Sequence, residues 1–217
     1  MRKYFLTVLL CLCAVCLQAY QPGDITLGAG AVFSALGLGT DFGEVNVEDA
    51  QAGMFHDAKL GQPGWGAEVQ AMYFLNERLA VGISFTDQYF SKDLSSGWEL
   101  NVTTRMRNYM AKGQVFLNPQ QAYKVYIPLG IGLAQTDFSM DFAPLGETKK
   151  HFKYTGFAYH VGLGVERAVS EHFSVGLEGR YNANRFHDST MRDNADRVTV
   201  YPKANFFSVL TRVVYKI

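Results

Sequence analysis

Seven ionisable side chains share one side of a two-residue alternation: Glu68, Lys112, His160, Glu166, Glu178, Arg180 and Arg212. Carboxylates and cations gathered on one face of a sheet have two uses. They pair with one another in a low-dielectric interior, or they pass protons or ions along it. Pairing is the expectation, because a charge left alone in such a place is costly. Glu68, Lys112, Glu178, Arg180 and Arg212 are the expected members of a structural charge network. A second constellation, His187-Asp188-Ser189, sets a base two residues from a hydroxyl. A His–Ser pair with a carboxylate behind the imidazole performs nucleophilic hydrolysis. No such carboxylate is identifiable in the sequence, so a polar loop is expected there. His56, His151 and His172 are scattered and match no metal-ligand spacing. Gly28-Ala29-Gly30 lies inside a strand pattern and opens no helix, which excludes a phosphate loop. No catalytic, cofactor-binding or metal-binding residue is expected.

The elements that must carry these residues alternate through most of the chain. In residues 156–181, Phe157, Tyr159, Val161, Leu163 and Val165 fall on one face. Ala158, His160, Gly162, Gly164 and Glu166 fall on the other. A polar break at 168–172 follows. Phe173, Val175, Leu177, Gly179 and Tyr181 then alternate with Ser174, Gly176, Glu178, Arg180 and Asn182. This is a β-hairpin with strands of about ten residues. Strands of that length, tilted, cross the hydrocarbon core of a bilayer.

The pattern recurs at 24–34, 64–75, 79–88, 99–117, 124–136 and 205–217, giving eight strands with the hairpin. In 99–117 the apolar positions change parity, from Leu100, Val102 and Met106 to Tyr109, Ala111, Val115 and Leu117. That change predicts a bulge near Arg107 and Asn108. Pro128 removes a ladder donor from the fifth strand. The connections alternate: 35–63, 89–98, 138–151 and 186–203 are long, and 76–78, 118–123 and 168–172 are short.

Arg2 and Lys3 precede an apolar run at 4–17 that ends in Leu17-Gln18-Ala19. This is the pattern of a cleaved secretory signal, so a leader is expected at 1–19 and one barrel domain at 20–217. Cys11, Cys13 and Cys16 all lie in that leader, and neither Val15 nor Leu12 is the small residue that lipidation of a following cysteine requires. Disulfides are therefore not expected. Nothing beyond residue 19 is apolar for long enough to form a membrane-spanning helix. The 20 basic and 20 acidic residues cancel, giving no electrostatic case for nucleic acid.

Alternation alone does not say which face is inside. A soluble carrier barrel would turn its apolar face inward. Three features predict the reverse. The polar face is rich in Gly, Ser, Thr and Asn, whereas a water-exposed face is richer in Lys and Glu. Apolar-face aromatics collect at the strand ends: Phe33, Trp65, Phe85, Tyr109, Phe157, Tyr181 and Phe207 toward the long loops, and Tyr73, Phe173 and Tyr215 toward the short turns. Two aromatic girdles at membrane–water interfaces account for that. The last strand also carries Phe207, Val209, Val213, Tyr215 and Ile217 on the apolar face to its end. The fold class expected is all-β, an eight-stranded antiparallel up-and-down transmembrane β-barrel. Val161, Leu163, Val175, Leu177, Val209 and Val213 should face lipid, and Glu178 and Arg212 should meet inside.

The strand periods, the hairpin GLGVERAVSEHFSVGLEGRY and the terminal strand FSVLTRVVYKI resemble the OmpA/OmpX-like outer-membrane β-barrel family over residues 20–217. The resemblance implies residence in the outer membrane of a Gram-negative bacterium. It implies contact with outer-membrane lipids and lipopolysaccharide, and with the barrel-assembly machinery during insertion. In that family the final strand is the insertion signal and ends in an aromatic. Tyr215 fits this pattern and Ile217 departs from it. No peptidoglycan-binding domain is expected after the last strand.

The function expected is a structural or surface-interaction role through the external loops, not an open porin, since eight strands leave room only for side chains. One alternative is narrow transport of small hydrophobic compounds, as in OmpW-like barrels, which the interior charges oppose. The other is lipid A deacylation. His187-Asp188-Ser189 resembles the His-x-Ser of PagL-type barrels, but Thr190-Met191 departs from that family's Ser-Asn-Ala continuation.

Overall fold

A computed structural model describes residues 19–35, 41–48, 63–94, 100–142, 148–186, 189–193 and 196–217. The expected leader falls almost entirely on residues 1–18, outside the described residues. The described residues form ten strands: β1 (Ile25–Ala35), β2 (Asp41–Glu48), β3 (Gly64–Asn76), β4 (Leu79–Leu94), β5 (Leu100–Phe116), β6 (Tyr123–Phe142), β7 (Thr148–Ala168), β8 (Phe173–Phe186), β9 (Ser189–Asp193) and β10 (Asp196–Lys216). No helix occurs among the described residues. Eight strands close in the order β1-β3-β4-β5-β6-β7-β8-β10, each antiparallel to the next, with β1 pairing back onto β10 from Thr26↔Lys216 to Ala35↔Phe207. Closure leaves the barrel without a sheet edge, so every wall strand finds partners on both sides. The two remaining strands, β2 and β9, both pair with the long-loop end of β10.

Local chemistry makes the short turns. Asn76 accepts from the backbone N–H of Arg78 (2.8 Å) and Leu79 (2.9 Å), folding β3 back into β4. Asn118 spans the β5–β6 turn, donating to the Tyr123 carbonyl (2.8 Å) and accepting from the Val125 N–H (2.5 Å). In the β7–β8 turn Ser170 accepts from the Phe173 N–H (3.1 Å). Such side-chain bonds replace a ladder partner where the chain reverses.

The apolar face points outward. Val161, Leu163, Leu177 and Val213 are 46, 58, 49 and 51% exposed, while Glu178 and Arg212 are 0 and 4% exposed. A soluble protein with its leucines outside and its ion pairs inside would not fold in water, whereas lipid is the natural solvent for that face.

Two sequence expectations change. First, β5 has no bulge. It pairs residue for residue with β4 and with β6 through Arg107↔Asp87 and Asn108↔Ala134 without a register shift. Even-numbered positions stay inward across that point: Thr104, Met106, Asn108, Met110 and Lys112 are all buried. What inverts is polarity. Above Tyr109 the outward positions become Arg107 and Arg105, and the inward position becomes Met106, because the strand has left the apolar slab. Second, the long connections are shorter than expected. Parts of 89–98, 138–151 and 186–203 belong to β4, β6, β7, β9 and β10, and 35–63 contains β2. Beyond the slab the outward face is no longer apolar, so the rule that marks the strands below ceases to mark them above. Pro128 does leave a gap: the β6–β7 pairing skips Ile127 and Pro128 and resumes in the same register at Leu129↔Val161.

Candidate functional site: the barrel lumen and the outer rim

The lumen is stacked in layers by the inward positions of eight strands. At the short-turn end, Met72, Phe74, Ala80, Phe116 and Tyr126 pack with Tyr20, a residue just before β1. Above them lies the charge layer. Lys112 reaches Glu68 (3.0 Å) and Glu178 (3.5 Å). Arg180 pairs with Glu68 and lies 3.5 Å from Glu178. Arg212 pairs with Glu178 (3.2 Å) and Glu166 (3.5 Å). Gln70 accepts from both Lys112 (2.9 Å) and Arg212 (3.0 Å). Tyr126 donates to Glu178 (3.1 Å), and its ring centre lies 4.8 Å from the Arg212 guanidinium carbon. All five expected network residues thus meet in one place. Each carboxylate has at least one cation, which offsets the desolvation that an isolated buried charge suffers.

Two glycines make this crowding possible. A Cβ at Gly164 would stand 2.1 Å from the Tyr126 ring, and one at Gly130 would stand 2.4 Å from the His160 ring. Both rings occupy the space that a side chain at these positions would need. His160 is buried, and its Nε2 has no protein partner.

Above the charges comes a hydroxyl–amide layer. Gln88 donates to Ser34 (2.7 Å), Ser34 and Ser208 share a bond (2.9 Å), and Asn182 donates to Ser208 (2.9 Å). The top layer is apolar: Phe90, Met106, Ala204 and Phe206, with Phe186 against them. Phe90 and Phe206 meet edge to face at 5.5 Å.

Outside, an aromatic belt marks the end of the apolar slab, with Phe85 on Tyr109 (5.0 Å) and Trp65 on Tyr89 (5.6 Å). Immediately beyond it Arg105 makes a two-pronged pair with Asp87 (2.6 and 3.0 Å) and lies over Tyr89 (4.9 Å). Arg107 reaches Asp137 (3.3 Å), and the exposed Lys153 stands opposite Asp137 in the ladder. Arg185 donates to Asn205 (2.6 Å).

His187 and Asp188 lie outside the described residues, and Ser189 is described only as the first backbone position of β9. His56 also lies outside them. The exposed His172 has its Nδ1 3.1 Å from the Lys216 carbonyl. No cluster of metal-ligating side chains occurs among the described residues. Lys124 and Tyr20 are among the lumen residues that the sequence pattern was not used to name. Lys124 is inward and buried, and its even position on β6 was enough to place it. Tyr20 lies before any alternation begins, so no periodic signal points to it.

A closed antiparallel barrel with a lipid-facing apolar slab, aromatic belts and a polar interior is the architecture of an integral outer-membrane protein. The chain belongs to the outer membrane protein beta-barrel domain family, whose sequence profile matches residues 7–209. Its place is the outer membrane of a Gram-negative bacterium. It is 27% identical over 195 residues to the outer membrane protein PagN of Salmonella typhimurium, covering 82% of this chain and 81% of that one. Among solved structures it resembles the outer membrane protein OprG of Pseudomonas aeruginosa, with TM-score 0.57, 14% identity, and 92 and 98% of the two chains covered. It also resembles Ail, the attachment invasion locus protein of Yersinia pestis, solved with the heparin analogue sucrose octasulfate. There the TM-score is 0.50, the identity 12%, and the coverage 91 and 100%.

Proposed function

We propose that this protein is a surface-interaction barrel: the lumen is structural filling, and the outer rim and loops do the work. The observation that carries the reading is the filled lumen. Glu178, Tyr126, Ser208 and Phe206, one or more from each layer, are all 0% exposed. Such packing opposes passage of solutes and leaves the external end as the free surface. The reading assigns no catalysis, and it takes the charge network as support for the wall.

Two classes of anionic partner fit the rim. Arg105, Arg107, Lys153 and Arg185 stand just above the aromatic belt, the height expected for the phosphates of a lipopolysaccharide leaflet. The stretch Thr148-Lys149-Lys150-His151-Phe152-Lys153 at the outer end of β7 adds basic positions farther out. A sulfated glycan, the chemistry of the ligand seen with Ail, is the external class to test first. Cells with and without the gene are passed over immobilised heparin and eluted with salt. Retention that follows the gene and is competed by sucrose octasulfate supports the reading. Equal retention of both strains rejects this ligand class.

A further inference from the structure

Tyr20 belongs to no strand, yet it is 3% exposed and lies inside the barrel mouth. The chain enters by a built reversal. Gly23 adopts φ 94°, a left-handed conformation that favours glycine. Its N–H donates to the Phe74 carbonyl (2.8 Å), and the Phe74 N–H donates to the Asp24 carbonyl (2.9 Å). Asp24 is held further by Lys216 (2.5 Å), at the seam where β10 meets β1. The tyrosine ring then stacks on Phe74, centres 4.0 Å apart and 23° from parallel. Lys124 Nζ lies 4.0 Å from the same ring centre, in cation–π geometry. The phenol donates to Glu166, which pairs in turn with Arg212 (3.5 Å).

We propose that residues 20–24 form a strap and that Tyr20 is the stopper that seals the lumen at its short-turn end, the periplasmic end of an outer-membrane barrel. Its ring completes the aromatic collar of Phe74 and Phe116, and its hydroxyl caps the one network carboxylate that faces the mouth. Because the strap is held by separate contacts and not by a continuous strand ladder, it opens locally while the wall stays closed. Withdrawing it admits periplasmic water to Glu166 and Lys124, and leaves the hydroxyl–amide and outer apolar layers as they are.

The test uses cysteine accessibility in the purified, folded protein; Cys11, Cys13 and Cys16 lie in the expected leader and are changed to Ala so that any retained leader carries no thiol. One reporter cysteine is placed at a buried position of the same end, as Ala80→Cys, which packs in the Tyr20 cluster, or, independently, as Thr26→Cys on β1. A control is placed in the outer apolar layer, as Ala204→Cys. Labelling by a charged maleimide is timed with and without Tyr20→Ala, and with Tyr20→Phe. Folding of every variant is checked by the shift in gel mobility on heating. The proposal expects both inner reporters to label at least about tenfold faster with Tyr20→Ala. Tyr20→Phe should fall between, because it keeps the stack and loses the bond to Glu166. The outer control should not change. Equal inner rates in all three backgrounds would overturn the proposal. So would an equal acceleration at Ala204→Cys, which would mean general loosening of the barrel. If Tyr20→Ala does not fold, the comparison of Tyr20→Phe with the unchanged protein decides alone, faster inner labelling supporting the stopper and equal rates overturning it.

Discussion

Glu178 faces three cations: Lys112 at 3.5 Å, Arg180 at 3.5 Å and Arg212 at 3.2 Å. Removing it leaves those charges to share Glu68 and Glu166 in a lumen without bulk water. Glu178→Ala is expected to lower the free energy of unfolding by about 3–5 kcal/mol, read from urea unfolding in micelles or vesicles. Arg105→Ala breaks a pair of similar geometry at the solvent-facing rim, where water screens both partners. It should leave the urea midpoint where it is, and the contrast between the two variants separates buried from exposed pairing. Membership of the network was legible from parity alone, because an inward position stays inward whatever the tilt. The pairing pattern was legible only in part. Glu178 and Arg212 fall at similar heights on neighbouring strands, and that geometry is local. Glu68 receives Arg180 and Lys112 from across the lumen, and which cation arrives depends on the shear of the whole barrel, which no single strand records.

Polarity and orientation part company along β5. Inside the slab the outward face is apolar, so an apolar stripe marks lipid. Beyond Tyr109 the outward residues Arg107 and Arg105 pair with Asp137 and Asp87, and Met106 turns inward to Phe206 and Phe90. A reader of hydrophobicity sees a slip by one residue, while the backbone makes none. Amide hydrogen exchange checks this directly. The N–H groups of Arg107 and Asn108 should be protected as strongly as that of Ala111, since a bulge would leave one of them without a ladder partner. The same inversion explains why the strand ends were read too short: alternation by apolar residues fades at the belt, although the ladders of β6 and β7 run on to Phe142↔Thr148. The lipid face has its own test. Val161→Arg places a charge in the middle of the β7 apolar band, between Phe157 and Val165, and should cost about 2–4 kcal/mol of folding stability in vesicles. A change near zero would mean that this face does not meet lipid.

At the scale of the molecule the barrel is a closed ring of hydrogen bonds around a packed interior, capped by aromatic groups at both ends. Planar bilayers containing the purified protein should therefore show no stepwise conductance. Uniform steps would contradict the filled lumen and favour transport. The ring has a further consequence through the length of its strands. β6 and β7 are 20 and 21 residues long, and the apolar band of β7 ends at Phe157, so a large part of that strand stands outside the slab. A partner held at the outer rim would pull along these strands. Their ladders are then loaded in shear, with many hydrogen bonds sharing the force, and none is peeled open one at a time. The wall passes the tension down to the slab, and the resistance to extraction comes from the apolar band in lipid. If the proposed role holds, the barrel would be strongest as a tether in the direction in which an attached surface would tug it.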